Sequence, residues 1–202
     1  SSKSIAIMAK NPGGYWDYIH GGTGGGKPVE GGVLPIVAIP TTAGTGTEAD
    51  PWTVVTNMET REKIGFGTPE TFPVLSIVDP DLMKSVPPAL TAFQGMDAFF
   101  HAAEGYLATM QQPASDHFAL SSISLIREFL PRAVKDGGDM EARTALAWAS
   151  TQSGLVESTS SCISHHSLEH ALSAFDPELP HGAGLILLSR AYFSFMAEKA
   201  PE

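Results

Sequence analysis

Four histidines and one aspartate stand at positions from which their side chains could share a metal ion. Asp97 and His101 are four residues apart in a segment with helical periodicity, and His166 and His170 have the same spacing. Residues i and i+4 lie on one face of a helix, so each pair can point at a single place. His181 follows a proline at the expected start of another helix.

The residue types at these positions suit a divalent transition metal. A carboxylate oxygen and neutral imidazole nitrogens are ligands that Fe(II) and Zn accept. Asp97 and His101 are separated by apolar residues 98–100, with no lysine or arginine nearby, and a buried carboxylate without a partner is costly. A surface pair, or histidines satisfied within a core, is the competing interpretation for any one of these residues. The other three histidines, His20, His117 and His165, have no such supporting positions, and we interpret them as structural or exposed.

One short motif indicates a different metal chemistry. Residues 166–170 spell His-Ser-Leu-Glu-His, which matches H-x-x-E-H, the inverted zinc-peptidase signature. In that interpretation His166 and His170 both bind zinc and Glu169 is the general base. Only three of its five positions are specified, so the alternative of a zinc metallopeptidase or other hydrolase stays open at this point.

The first part of the chain contains features typical of a ligand-binding α/β segment. A short buried strand is predicted at 34–39, and it leads into a Thr/Gly turn at 40–48. Backbone N–H groups and hydroxyls in such a turn can face a phosphate or ribose. The glycine-rich stretch 21–27 resembles a phosphate loop, but Pro28 replaces its Ser or Thr and no strand precedes it. We interpret it as a flexible surface loop.

The spacing of apolar residues changes near residue 86. Before it we predict two strands at 53–56 and 63–66, joined by a polar turn, and a buried strand at 74–78. After it the apolar residues have helical spacing, beginning with a capping box from Thr91 to Gln94. The sequence therefore predicts an α/β domain at 1–86 and an all-helical domain at 87–202.

Composition excludes several classes of function. The 202 residues carry a net charge of −10 without a basic cluster, which argues against a nucleic-acid partner. The single cysteine, Cys162, cannot form an internal disulfide, and no apolar run reaches the roughly 18 residues of a membrane span. We expect a cytoplasmic protein with no membrane partner. Both ends have the character of a chain cut from a longer one.

Three motifs together resemble the iron-containing (group III) alcohol dehydrogenases. They are Pro-Thr-Thr-Ala-Gly-Thr-Gly-Thr-Glu at 40–48, Gly-Met-Asp-Ala-Phe-Phe-His-Ala-Ala-Glu-Gly-Tyr at 95–106, and Pro-His-Gly at 180–182. They follow the order of that family, and the likeness extends over essentially the whole chain. The resemblance implies the remnant of an α/β dinucleotide-binding domain followed by an all-α metal-binding domain, an architecture like that of dehydroquinate synthase.

The resemblance also implies roles for individual residues. The metal ligands would be Asp97, His101, His166 and His181, while His170 would lie beside the metal in the substrate pocket or proton path. This differs from the peptidase interpretation, in which His170 binds the metal. The cofactor would be contacted by the residues Thr41, Thr42, Thr45, Val54, Lys63 and Leu82.

The expected activity is hydride transfer between a small alcohol or aldehyde and NAD or NADP, with Fe(II), or alternatively Zn, in the site. A homo-oligomer is expected. The family's Gly-Gly-Gly-Ser pyrophosphate loop should precede Ser1, and Asp50 stands where many members have Thr. A metal-binding fragment without activity is therefore a further alternative.

Overall fold

The described first part of the chain forms one short α-helix and two separate pairs of strands. The computed structural model describes residues 2–199. Helix α1 is Ser2–Met8, and strand β1 (Val37–Ala38) pairs in parallel with β4 (Leu75–Ser76). Strands β2 (Thr53–Asn57) and β3 (Glu62–Phe66) form an antiparallel hairpin in which Thr53 lies opposite Phe66. The hairpin confirms the predicted strands at 53–56 and 63–66.

The predictions of buried strands at 34–39 and 74–78 were wrong in extent and in burial. Each segment has only two residues in strand conformation, and the side chains of Val37 and Leu75 are 54% and 52% exposed. Their apolar, β-branched composition is that of a strand covered on both faces. Among residues 2–199 these two strands pair only with each other, so most of that apolar surface faces outward.

Five helices make up the rest of the described chain. They are α2 (Pro88–Leu107), α3 (Pro113–Lys135), α4 (Met140–Ser160), α5 (Ser164–Phe175) and α6 (His181–Lys199). The apolar faces of α2, α3 and α4 pack into a core of Ala98, Ile126, Leu130, Ala133, Ala142, Leu146 and Ala149. The helical character of this half is confirmed, whereas its separation into a domain at residue 87 stays a prediction.

The predicted capping box at Thr91 does not begin α2. The helix begins one turn earlier, at Pro88, where proline's fixed φ and missing N–H are tolerated. The Thr91 hydroxyl instead donates to Val86 O at 3.3 Å and accepts from the guanidinium of Arg143 at 2.9 Å. Thr91 therefore ties the start of α2 to α4.

The Thr/Gly turn packs directly on α4. Gly46 has φ +58°, and a Cβ on Gly154 would lie 2.2 Å from Gly46 O, so neither position has room for a side chain. The buried ammonium of Lys3 donates to Thr47 O and Asp50 O at 2.9 and 2.7 Å. These contacts hold the end of the turn between α1 and the helices.

Candidate metal centre

Helices α2, α5 and α6 bring one carboxylate and three imidazoles to a common point. Asp97 Oδ1 lies 3.3 Å from His166 Nε2, 3.3 Å from His181 Nε2 and 3.8 Å from His101 Nε2. Asp97 and His101 occupy one face of α2, as their spacing predicts, while His181 is the first residue of α6. The structure therefore brings together all four residues that the resemblance implies as ligands.

The protonation of His166 indicates that this point suits a cation. The ring Nδ1 contacts Glu104 Oε1, and because a carboxylate only accepts, Nδ1 carries the proton. The other nitrogen, Nε2, lies 3.3 Å from the Asp97 oxygen, and it is the atom that would bind a cation in place of a proton. His101 adds a buried ring whose Nε2 lies 3.8 Å from the same oxygen. A divalent ion at this point would be bound by the carboxylate oxygen and the imidazole nitrogens, so the residues fit Fe(II) or Zn.

Without an ion the charges of this cluster are balanced by protons on the imidazoles. Burial raises the pKa of Asp97, but the charge of His101 and hydrogen bonds from His166 and His181 outweigh it and hold that pKa well below its usual range. Burial lowers the pKa of His181, but Asp97 and Glu169 outweigh burial and raise it. The Asp97 carboxylate thus favours positive charge on the groups that surround it.

Glu104 is a functional residue that the sequence analysis missed. Its side chain, fully buried on α2, accepts from the N–H groups of Ile163 and His166 at 2.9 and 3.3 Å and also holds the His166 ring. Burial raises its pKa, but His165 and His166 outweigh burial and lower it to about 2. Glu104 follows Asp97 by seven residues, which is again the same helix face, so the signal was present in the sequence.

Glu169 contacts the Nδ1 atom of His181, just as Glu104 contacts the Nδ1 atom of His166. Its Oε2 contacts His181 Nδ1 and lies 3.2 Å from the ammonium of Lys63, which also donates to Ser173 Oγ at 2.8 Å. Burial raises the pKa of Glu169, but His181 and Lys63 outweigh burial and lower it. Lys63 belongs to β3, so this contact joins the hairpin to α5 and α6.

A cavity of about 930 Å³ opens beside the converging ligands. Of the expected cofactor contacts, Thr45, Val54 and Lys63 line it. Thr41 and Thr42 lie elsewhere on the turn and do not border it, and neither does Leu82, whose side chain is 45% exposed. The cavity therefore separates the six expected contacts into three that line it beside the candidate ligands and three that do not.

His170 lines the same cavity beside the candidate metal ligands. Its ring centroid is 5.4 Å from that of His181 and 6.3 Å from that of His166. Burial, followed by the charge of Lys63, lowers the pKa of His170 to about 3, so its ring is uncharged at neutral pH. Cys162 also lines the cavity, and burial raises the pKa of its thiol to about 12.

The geometry does not favour the zinc-peptidase interpretation. That interpretation needs His166 and His170 on one ion, yet the donor atoms of His166 converge with those of Asp97 and His181, all within 4.8 Å of one another. The proposed general base, Glu169, is fully buried against Lys63 and His181.

The remaining motifs have ordinary surroundings. The loop at 21–27 lies mostly on the surface, where Lys27 pairs with Asp17 at 2.8 Å. The unsupported histidines are structural or exposed, as predicted: His165 is buried, whereas His20 and His117 are exposed. Within residues 2–199 no helix combines the length and apolarity needed to cross a bilayer.

Comparison with known proteins identifies related sequences along the chain. Residues 91–202 match the model of the Fe-containing alcohol dehydrogenase family, C-terminal, and residues 1–80 match that of iron-containing alcohol dehydrogenase. Over 182 residues the chain is 37% identical to a choline dehydrogenase of Bacillus subtilis and 38% identical to a NAD-dependent methanol dehydrogenase of Bacillus methanolicus. These alignments cover 90% of this chain but only 44% and 46% of the relatives.

Solved structures agree with the sequence matches. An archaeal halo-thermophilic alcohol dehydrogenase from a Red Sea brine pool superposes with a TM-score of 0.93 at 37% identity. A sulfoacetaldehyde reductase from Bifidobacterium kashiwanohense, in complex with NAD+, superposes with a TM-score of 0.86 at 35% identity. Each match covers 97% of this chain and 50% of the other. The chain spans about half the length of its relatives, and by its sequence and its fold it belongs to the iron-containing alcohol dehydrogenase family.

Proposed function

We propose that the protein acts in a metal-dependent alcohol dehydrogenase, transferring hydride reversibly between a small alcohol or aldehyde and a nicotinamide cofactor. The observation that carries this proposal is the convergence of three imidazole nitrogens on one oxygen of Asp97, 3.3–3.8 Å away, at the wall of a large cavity. Asp97, His101, His166 and His181 would hold the metal. Fe(II) is the ion we propose, because the chain belongs to an iron-containing family.

The bound groups and the side chains have separate tasks. A divalent ion supplies a Lewis acid for the substrate oxygen, and the nicotinamide supplies the hydride carrier. Asp97 provides the anionic charge that holds the ion among the imidazoles. His170 lines the cavity wall beside the candidate ligands, and on that position we assign it to the proton path.

The cavity also supports a position for the cofactor. Thr45 and Val54 line it together with Lys63, which gives a hydroxyl, an apolar surface and a cation for a dinucleotide. The roles of Thr41, Thr42 and Leu82 remain predictions, with no support from the cavity. The NAD-dependent methanol dehydrogenase and the NAD+ complex among the relatives favour NAD over NADP.

Two measurements on the purified chain test the proposal. The first is metal content after anaerobic loading with Fe(II) or Zn, for the wild type and for His181→Ala. The second is absorbance of NADH formed from NAD+ with choline, methanol or 1,3-propanediol, which are substrates named for the relatives.

Stoichiometric metal that is lost in His181→Ala, with alcohol-dependent NADH formation, is the expected result. Metal without NADH formation would identify a metal-binding chain without activity. Full metal occupancy in His181→Ala would refute the ligand assignment, and unchanged turnover and pH profile in His170→Ala would refute its role in proton transfer. A homo-oligomer remains a prediction, which light scattering would test.

A further inference from the structure

Glu169 has no role in the chemistry proposed above, although its surroundings are unusually specific. It lies on α5 with its side chain fully buried, three residues after the metal ligand His166. Gly184 on α6 leaves the space that the carboxylate needs, because a Cβ there would lie 2.8 Å from Glu169 Oε1. A buried carboxylate costs free energy unless it is paired, so its partners indicate what it does.

Both partners meet the same oxygen atom. His181 Nδ1 and the Lys63 ammonium approach Oε2, and these two nitrogens are only 3.4 Å apart. Two donors can be this close because they share one anionic acceptor. Nδ1 of His181 therefore carries a proton, and Nε2, 3.3 Å from Asp97, is the nitrogen that would bind a metal in place of its own proton.

We propose that Glu169 is a positioning residue that fixes the tautomer and the ring orientation of His181 for the metal. This rests on the proposed metal site. His181 needs such support more than the other ligands, because it begins α6 and its side chain is 30% exposed, compared with 8% or less for Asp97, His101 and His166. Carboxylates that accept from a ligating histidine orient the ring and raise its basicity.

Lys63 holds this carboxylate from the other half of the protein. Its ammonium offsets the buried charge and is itself fixed by Ser173 Oγ at 2.8 Å. Because Lys63 is on β3, the hairpin that borders the cofactor cavity also sets the position of Glu169. The H-x-x-E-H motif is thereby explained without peptidase chemistry: its glutamate serves the imidazole of His181.

Cobalt binding tests the proposal without any measurement of turnover. Co(II) is titrated into metal-free wild type, Glu169→Gln, Glu169→Ala and the control Glu178→Gln, an exposed carboxylate between α5 and α6. Affinity is obtained by competition with a chelator, and ligand geometry from the visible absorption of Co(II). We expect Glu169→Ala to weaken binding by about 10–100-fold. Glu169→Gln should weaken it less, because an amide oxygen can still accept from Nδ1.

The same variants in a His181→Ala background separate positioning from general stability. If Glu169 acts through His181, Glu169→Ala should change cobalt affinity there by no more than about 2-fold. An equal loss in both backgrounds would overturn the proposal. If the alanine variant does not fold, Glu169→Gln decides by its spectrum at saturation, which should differ from that of Glu178→Gln; an unchanged spectrum and affinity would overturn the proposal. A wild type that binds no cobalt would refute the metal site itself.

Discussion

Replacing Glu104 by glutamine should destabilise the metal-free protein although the two side chains have nearly the same shape. The carboxylate uses both oxygens: Oε2 accepts from two backbone N–H groups at the start of α5, and Oε1 accepts from the His166 ring. An amide has only one oxygen, so its NH2 group must face either the helix terminus or the imidazole. One of these donor sets then loses its acceptor.

The expected size of this effect follows from the bonds involved. Leaving a buried donor unsatisfied costs about 1–3 kcal/mol, and the bonds that remain lose the strength that the anionic charge gave them. We therefore expect Glu104→Gln to lower the free energy of unfolding by about 2–3 kcal/mol, where one bond is lost and the others weaken. Glu104→Ala, which leaves all the donors without a partner, should cost at least about 3 kcal/mol.

Urea denaturation of the chelator-treated protein, followed by circular dichroism, measures the change. Glu128→Gln on the exposed surface of α3 is the matched control, and it should stay within about 0.5 kcal/mol of wild type. Amide hydrogen exchange should also show faster exchange at Ile163 and His166 in the Glu104 variants. If Glu104→Gln matches the control in both stability and exchange, Glu104 does not cap α5, and its role in holding His166 would have to be abandoned.

Three further changes test other parts of the structure. Asp97→Ala should abolish stoichiometric metal by elemental analysis while far-ultraviolet circular dichroism stays unchanged, and retained metal would contradict the site. Gly154→Ala should lower the free energy of unfolding by about 1–3 kcal/mol in urea, because the new Cβ would lie 2.2 Å from Gly46 O; an unchanged midpoint would show that the turn can move aside. The N–H of Ala142 holds the pKa of Asp139 below its ordinary value, so this carboxylate stabilises the folded protein above about pH 4 and less at lower pH. Asp139→Ala should therefore lower the urea midpoint at neutral pH, with a difference that shrinks towards about pH 3, and a constant difference would contradict the capping role.

The sequence predicted the helices and the hairpin well because their signals are local. Apolar residues at helical spacing identify α2 through α6, and a polar turn between two β-rich runs identifies β2 and β3. The prediction of buried strands at 34–39 and 74–78 was wrong for a non-local reason. Whether such a strand is covered depends on the elements that pack against it, and its own residues do not specify them.

The same distinction applies to the site. Asp97 and His101 could be paired from their spacing because both lie on α2. Glu104 shares that face, and seven-residue spacing would have identified it. The link from Lys63 to Glu169 spans 106 positions, so no periodicity could reveal it, and the resemblance associated Lys63 with the cofactor alone.

The arrangement of charges suits a site in which one carboxylate would bind the ion and two others contact only its imidazole ligands. A single aspartate with three neutral imidazoles leaves a divalent ion with a residual positive charge, which can act on a substrate oxygen. A second carboxylate in direct contact would cancel that charge. Glu104 and Glu169 instead contact Nδ1 of His166 and of His181, so they would strengthen the imidazoles as ligands without touching the ion. Exchanging either glutamate for glutamine should therefore weaken metal binding without removing a ligand, whereas replacing Asp97 should remove one.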